Sequence, residues 1–434
     1  MKTSKSGLSA LKVAKWLCGL LLIILPFQIG DLIHNPDIFT EGKFMVSDVF
    51  KLHFQDILIC LTILFLGIAG WKKQWDFKIS NQLLGVGKWL FIVLVMMLFI
   101  NTFHHATITL MALRYALLFT FFYIVGSKLY EKEQIIKFLL IGLLFQFAIG
   151  LYQLLFQDSL GLRLLGEPYI SSNNMGLASL QVMGYKIIRP YGTLAHANIL
   201  AGFFLVGFIL SRDFIQKNSV SILYKIGCFV MIIGVFMTFS RQAILALIAV
   251  LLVDILSAKK RNLWHWILAF IVIVPGILLI SGRYYFEVFN DAAMPEAFSE
   301  RILFIKSAFF MIWDNFFIGI GGGNFVNELQ NYVSLKLAPW QLQPVHNVFL
   351  LWMVEYGAIF GSFIIFLWIR LIKAALYRLK NMCSFSFNVV LGLTIIMFFD
   401  HYLITNYEGQ LLLFLILGLT THVLNNDAFP AKNS

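Results

Sequence analysis

Charged residues are scarce in this sequence. Only 13% of its 434 residues are Asp, Glu, Lys or Arg, whereas a water-soluble globular protein carries about 25%. Hydrophobic residues make up 60% of the chain, and the mean hydropathy is +0.83. This composition excludes a soluble globular domain and predicts an integral membrane protein.

Cysteines and clustered acidic residues are also few. The four cysteines, Cys18, Cys60, Cys228 and Cys383, have spacings that suit neither a zinc site nor a disulfide framework. The sequence contains no Asp-x-Asp pair, although sugar transferases that depend on a metal commonly hold a divalent ion with clustered acids. No nucleotide-sugar site is apparent either. We therefore predict neither a bound metal nor a cofactor.

Long apolar runs occupy most of the chain. A helix crosses about 30 Å of hydrocarbon with about 20 mainly apolar residues, because it satisfies its own backbone hydrogen bonds. These runs predict an all-α polytopic membrane protein with about twelve transmembrane helices, and residues 1–434 form one integral membrane domain. The predicted spans are Leu11–Ile29, Gln55–Gly70, Val86–Phe103, Ala106–Gly126, Ile136–Phe156, Thr193–Leu210, Leu223–Phe239, Gln242–Leu256, Leu263–Ile280, Asn347–Trp368, Phe387–Phe399 and Gln410–Val423.

The basic residues predict the orientation of these spans. Lys and Arg are enriched in cytoplasmic loops of membrane proteins. Of the 33 basic residues, 22 fall in alternate connections between spans and in the two terminal segments, which together hold only five acidic residues. Both termini are thus predicted to be cytoplasmic. The net charge of +11 is accounted for by orientation, and no nucleic-acid partner is predicted.

Two long connections are predicted on the external side, at residues 157–192 and 281–345. Within the second, the segment Ser299–Trp313 has the apolar spacing of an amphipathic helix that lies on the membrane. The glycines of Phe317–Phe325 that follow could present backbone N–H groups to an anion. A connection this long is expected to have structure of its own.

Polar side chains that could bind substrate or act in catalysis gather at the external ends of the spans. The segment "RPYGTLAHANILAG" contains Arg189, His196 and Asn198, "TFSRQAI" contains Arg241, the amphipathic segment contains Arg301, and "QPVHN" contains His346 and Asn347. His196, Asn198 and His346 could simply cap helices, and Arg241 could extend to the membrane surface. Alternatively, the arginines bind phosphate through paired donors and His346 is a catalytic base. Arg114, inside the fourth span, is a structural arginine, an arginine that extends to the membrane surface, or one that lines the path of the acceptor.

These segments, in this order, resemble the O-antigen ligase family, which includes Wzy-type polysaccharide polymerases and bacterial protein O-oligosaccharyltransferases. The resemblance also extends over "SRQAILALIAVLLV" and "ERILFIKSAFFMIWDNFFIGIGGGNF". Its most specific part is "HNVFLLWMVEYGAIFG", in which His346, Asn347 and Gly357 keep the family spacing. Gly361 lies one residue later than the usual second glycine.

The resemblance implies a GT-C-like membrane glycosyltransferase of the bacterial inner membrane that needs no metal. Such an enzyme takes a glycan from undecaprenyl diphosphate and transfers it to an acceptor hydroxyl, such as one on lipid A core, at the periplasmic face. His346 would be the base, and Arg241 and Arg301 would contact the diphosphate. Substrate-binding roles would fall to four further residues, Arg189, His196, Asn198 and Asn347.

Two alternative functions are retained. A Wzy-type polymerase would extend a carrier-linked glycan with the same residues. A polysaccharide or lipid transporter is the other alternative, but transporters tend to have internal repeats and polar residues near the bilayer midplane. Here the charges gather at the external boundary, which favours chemistry at the membrane surface.

Overall fold

α-Helices follow the predicted apolar runs. The computed structural model describes residues 9–34, 39–40, 43–44, 50–76, 80–102, 108–171, 177–182, 185–217, 222–257, 272–279, 296–334, 337, 341–380 and 384–426. Its helices are α1 (Ala10–Ile24), α2 (Phe54–Trp71), α3 (Asn81–Asn101), α4 (Ile108–Gly126), α5 (Lys132–Phe156), α6 (Ala197–Lys217), α7 (Ile222–Met237), α8 (Arg241–Ser257), α9 (residues 272–279), α10 (Glu296–Asp314), α11 (Phe325–Leu329), α12 (Val348–Lys380), α13 (Ser384–Phe399), α14 (Tyr402–Thr405) and α15 (Tyr407–Asn426).

The helical membrane character of the chain is confirmed. Among the described residues, four helical segments are long and apolar enough to cross a membrane: Phe54–Trp71, Asn81–Asn101, Lys132–Phe156 and Val348–Tyr377. Shorter apolar helices lie along other predicted spans. The number of twelve spans stays a prediction.

Short strands occur between helices, where the sequence analysis expected only helices and loops. In the part of the chain that the structure describes, three two-stranded antiparallel sheets pair β1 (Gly30–His34) with β4 (Phe50–His53), β2 (Phe39–Thr40) with β3 (Lys43–Phe44), and β5 (Ser179–Val182) with β6 (Tyr185–Ile188). The last hairpin lies in the connection 157–192, so part of that connection has regular structure. The strand pairing supplies partners for backbone N–H and C=O groups of these segments.

The predicted amphipathic helix is present as α10, and it packs with the glycine-rich segment against the first half of α12. A separate apolar cluster joins these elements through Phe304, Met311, Ile320, Phe325 and Leu351, together with their neighbours. Burial of these side chains fixes α10 relative to the start of α12. This packing places the α10 residue Arg301 in the same region as His346.

The glycine-rich segment completes a break in α12. Gly357 has φ 70° and ψ 176°, a conformation that glycine adopts without steric cost. The N–H groups of Ile320 and Gly321 donate to the carbonyl oxygens of Val354 and Glu355, at 3.0 and 2.9 Å. These bonds satisfy carbonyl groups that the break frees from helical pairing. Gly357 is thus a docking point for the preceding loop.

Arg114 has a structural partner, which answers the question that its position raised. Its guanidinium lies 3.0 Å from the buried carboxylate of Asp56 and 4.0 Å from the ring centroid of Tyr407. It also donates to the carbonyl oxygen of Lys51 at 2.6 Å. The Tyr407 hydroxyl donates to the same Asp56 carboxylate. These contacts tie α2 and α4 to the start of α15.

Candidate active site

One end of the helical bundle gathers the polar residues that the sequence singled out. Here α7 and α13 end, and α6, α8 and α12 begin. The side chains at these helix ends meet around Asp400, which directly follows α13 and is 4% exposed. The buried carboxylate is the centre of the candidate site.

Four donors surround the Asp400 carboxylate. Oδ2 accepts hydrogen bonds from Asn198 Nδ2 at 2.8 Å and from Gln242 Nε2 at 2.9 Å. Oδ1 accepts from the backbone N–H of His401 at 2.8 Å and lies 3.7 Å from Nδ1 of His346. Burial alone would raise the pKa of this carboxyl, but the imidazoles of His346 and His401 outweigh that effect and hold the pKa well below its usual range. Asp400 is therefore an anion.

Arg189 and Asn198 hold this carboxylate in place. Arg189 is buried, and its guanidinium donates to the Thr238 carbonyl oxygen at 2.7 Å and to Asn198 Oδ1 at 2.6 Å. Asn198 uses its amide nitrogen for Asp400. Both side chains were predicted to bind substrate, but these bonds make them positioning residues. A direct contact of either one with substrate stays a prediction.

His196 caps the start of α6. Its Nδ1 accepts a hydrogen bond from the backbone N–H of Asn198 at 3.0 Å, which matches the capping alternative. Burial and the nearby charge of Arg189 lower the pKa of His196 to about 3, although Asp400 opposes this shift. The imidazole is therefore neutral near pH 7, with its proton on Nε2. His196 can donate a hydrogen bond to a ligand from that atom, but it has no free lone pair with which to act as a base.

His346 does not cap α12. Asn347 has that role, because its Oδ1 accepts from the backbone N–H of Leu350 at 2.9 Å, while its Nδ2 donates to the Phe398 carbonyl oxygen at 3.2 Å. The His346 side chain is 18% exposed, and its ring centroid lies 5.1 Å from that of His401. Since Nδ1 faces the Asp400 anion, the favoured tautomer carries its proton on Nδ1. Nε2 then has the lone pair that a base requires.

The two arginines predicted to bind diphosphate belong to different helices of this region. Arg241 is the first residue of α8, directly before Gln242, whose side chain reaches Asp400. Arg301 lies on α10, close enough to His401 for its charge to affect that imidazole. Burial is the main cause that lowers the pKa of His401 to about 4, and His346 and Arg301 lower it further while Asp400 opposes them.

The glycine-rich segment uses several of its N–H groups within the protein. Besides the two bonds to the break in α12, Gly322 N–H donates to Asn101 Oδ1 at 2.7 Å, and the N–H groups of Gly323 and Phe325 donate to the buried Glu355 carboxyl group. The hypothesis that this segment presents its N–H groups to a bound anion is therefore wrong for these five groups. Their acceptors are an amide, a carboxyl group and carbonyls of the chain itself.

The sequence analysis missed Asp400, His401 and Gln242. Asp400 lies 54 positions after His346, so no local spacing connects the two. A signal was nevertheless present, because "DHYLITNYEG" places two adjacent titratable residues between two apolar runs. Charged residues at such boundaries are functional candidates.

His346, Asp400 and His401 also form a possible cation site. One ligand atom from each of the three lies within 4.8 Å of the others. Two imidazoles and a carboxylate suit zinc. The sequence analysis predicted no bound metal. This donor set does not test that prediction.

Comparison with known proteins agrees with the resemblance seen in the sequence. Residues 226–367, about a third of the chain, match the family model described as O-antigen ligase. The matched segment contains Arg241, Arg301, His346 and Gly357, whereas Asp400 lies beyond it. No curated protein matches the chain. The segment 226–367 is therefore similar to O-antigen ligase, and it belongs to a chain with helices that are long and apolar enough to cross a membrane.

Proposed function

We propose that this protein is a membrane glycosyltransferase that transfers a glycan from undecaprenyl diphosphate to a sugar hydroxyl of an acceptor such as lipid A core. The observation that best supports this proposal is the partly exposed imidazole of His346, whose Nδ1 lies 3.7 Å from Oδ1 of the buried Asp400 anion. The family match supports a ligase or polymerase type of enzyme. A Wzy-type polymerase would perform the same chemistry with a carrier-linked glycan as acceptor.

In the proposed reaction, the acceptor oxygen forms a bond to the anomeric carbon of the donor glycan. The bond between that carbon and the diphosphate oxygen breaks, and the lipid diphosphate leaves with the bonding electrons. The proton of the acceptor hydroxyl moves to Nε2 of His346. The Asp400 anion holds the Nδ1–H tautomer and stabilises the imidazolium that forms. A positioned base of this kind typically contributes about 10²- to 10⁴-fold.

Arg241 and Arg301 stabilise the leaving group in this proposal. Negative charge grows on the diphosphate as the glycosidic bond breaks, and fixed cations lower the energy of that transition state. A guanidinium suits this role because its paired donors match phosphate oxygens. Because the arginines supply the positive charge, transfer should need no metal and should survive treatment with EDTA.

His196 is suited to a direct glycan contact. Its Nδ1 is used in the α6 cap, which leaves Nε2–H as a donor for a sugar hydroxyl. Arg189, Asn198 and Asn347 support the arrangement by fixing Asp400 and the start of α12. Substitution of these three is expected to lower turnover through misplacement of the base.

The membrane orientation follows from charge. The candidate site lies at the helix ends opposite to the basic connections, which together with the two terminal segments hold 22 of the 33 basic residues. Since basic connections remain cytoplasmic, we propose that the site faces the periplasm of the inner membrane and that both termini are cytoplasmic. Single cysteines in α10 should react with an impermeant thiol reagent in intact spheroplasts. Reaction only after permeabilisation would contradict this orientation.

Reconstitution tests the proposed reaction directly. Purified protein in nanodiscs would receive an undecaprenyl-diphosphate glycan with either lipid A core or a second carrier-linked glycan as acceptor, and products would be identified by mass spectrometry. We expect a product whose mass equals acceptor plus glycan, with release of undecaprenyl diphosphate. A lipid A core product indicates a ligase, and an extended carrier-linked glycan indicates a polymerase. If neither acceptor gains mass, the proposal is wrong.

A further inference from the structure

The second imidazole beside the proposed base has no part in the transfer reaction. We propose that His401, together with His346 and Asp400, binds a divalent transition metal, with Zn²⁺ as the preferred ion, and that this metal reversibly inhibits transfer. The inhibition rests on the proposed function, whereas the binding does not. Two imidazole nitrogens and one carboxylate oxygen leave a fourth tetrahedral position of zinc for water.

The hydrogen bonds of His401 prepare it as a ligand. Its Nδ1 lies 2.6 Å from Oγ1 of Thr405, and the same hydroxyl donates to the carbonyl oxygen of His401 at 3.2 Å. The single hydroxyl proton can go to the carbonyl or to Nδ1. When it is on the carbonyl, Thr405 accepts the proton of Nδ1–H, and the lone pair of the neutral imidazole is on Nε2. A metal bound at Nε2 selects this arrangement. Metal-binding histidines commonly have this support, in which the second ring nitrogen donates to a protein acceptor.

The other two ligands are also held in position. Amide groups of Asn198 and Gln242 fix one oxygen of Asp400 and leave the other on the side of the two histidines. Tetrahedral zinc with bonds of about 2.1 Å places its ligand atoms about 3.4 Å apart. The three ligand atoms already lie within 4.8 Å of one another. Side-chain shifts of about 1 Å would therefore complete the site.

The charges around the cluster favour weak, reversible binding. Asp400 contributes one negative charge, but Arg301 lies close enough to affect His401 electrostatically, and it opposes a second cation in the same way. A bound metal would occupy a lone pair of His346 or withdraw Asp400 from it. Either change removes the proton acceptor, so the metal inhibits.

Direct metal titration tests the binding. Full-length protein in nanodiscs, carrying Cys60→Ser to remove an exposed thiol, would be titrated with Co²⁺, and the visible absorption of the ion would be followed before displacement by Zn²⁺. One equivalent should bind. His401→Gln should weaken binding about tenfold or more, and Thr405→Val should weaken it less. His53→Gln, which removes a buried histidine of another cluster, should not weaken it. Equal affinity in all these variants would overturn the site.

Transfer assays at controlled free Zn²⁺ test the inhibition separately. The half-inhibiting concentration should rise about tenfold or more in His401→Gln, each variant being compared with its own metal-free rate. Inhibition that is unchanged by His401→Gln would overturn the proposal. Metal binding at His401 that leaves transfer unaffected, or accelerates it, would overturn the proposed inhibition and would also contradict the role of His346 as a free base. If binding fails but EDTA-treated protein is active, only the metal site is wrong.

Discussion

Replacement of Asp400 by asparagine keeps the shape of the side chain but removes two properties of the carboxylate, its charge and its second acceptor oxygen. If the amide oxygen takes the place of Oδ2, it keeps the bonds from Asn198 and Gln242, while the new NH₂ group faces the His401 N–H and His346 Nδ1. The reverse orientation leaves both side-chain amide donors without an acceptor. The first orientation therefore leaves fewer buried donors unpaired and is favoured.

The magnitudes follow from that orientation. One unpaired buried donor costs about 1–3 kcal/mol of folding free energy. The NH₂ group would also force His346 into the tautomer with its proton on Nε2, which cannot accept a proton from the acceptor sugar. The corresponding change in serine proteases lowers kcat about 10⁴-fold. Because the His346 to Asp400 distance of 3.7 Å exceeds a formed hydrogen bond, we expect a loss of about 10²- to 10⁴-fold here.

Single-turnover transfer with donor in excess is the suitable assay for Asp400→Asn, accompanied by thermal unfolding of the same sample. The matched control is Asp158→Asn, which neutralises an exposed carboxylate in the connection 157–192 and should leave the rate unchanged. If Asp400→Asn is folded and transfers at nearly the wild-type rate, the pairing of this carboxylate with the base has no catalytic role.

Three further predictions concern stability. Gly357→Ala should prevent correct folding, because its Cβ would collide with a backbone carbonyl at φ 70°. The control Gly67→Ala, whose Cβ meets nothing within 4 Å, should stabilise the protein by about 0.5–1 kcal/mol. Equal unfolding temperatures of the Gly357→Ala and Gly67→Ala proteins would refute the docking role of Gly357. Arg114→Leu should cost about 3–5 kcal/mol because it leaves the buried Asp56 anion without its cation, and added Asp56→Asn should recover part of the loss. No recovery in the double variant would contradict the pairing. The pKa of His401 falls from 6.5 to about 4 on folding, so the unfolded state binds more protons than the folded state between pH 6.5 and 4. The free energy of unfolding should therefore fall by about 1 kcal/mol per pH unit as the pH drops from 6.5 towards 4. His401→Gln should reduce this slope, and an unchanged slope in thermal unfolding would refute the assignment.

The helices were predictable because hydropathy is a local property of the chain. Apolar runs mark helices that satisfy their own backbone groups, and the spacing in Ser299–Trp313 identified α10 to within a few residues. The predicted orientation used only the positions of basic residues. In contrast, the β5–β6 hairpin depends on pairing between two short segments within a connection, and the sequence analysis assigned no strands there.

The site was predictable only in part, because its centre depends on contacts between distant segments. His346, Arg241 and Arg301 could be recognised from motifs near helix ends. Asp400 could not be assigned to His346, since the two meet only after α12 and α13 pack together. The sequence likewise could not decide whether His196 and His346 cap helices or act as bases. The structure assigns the α12 cap to Asn347 and the α6 cap to His196. Local capping contacts, and the tertiary approach of His346 to Asp400, thus separate two histidines that look equivalent in the sequence.

The most direct test of the mechanism is the rate of glycan transfer by His346→Asn. Asn347 caps α12, so this substitution should leave the helix start intact, and unchanged thermal stability would verify that. We expect the single-turnover rate to fall by about 10²- to 10⁴-fold, while binding of the undecaprenyl-diphosphate donor stays within a few-fold because its contacts are assigned to Arg241 and Arg301. Near-normal transfer by a well-folded His346→Asn protein would contradict the assignment of His346 as the general base.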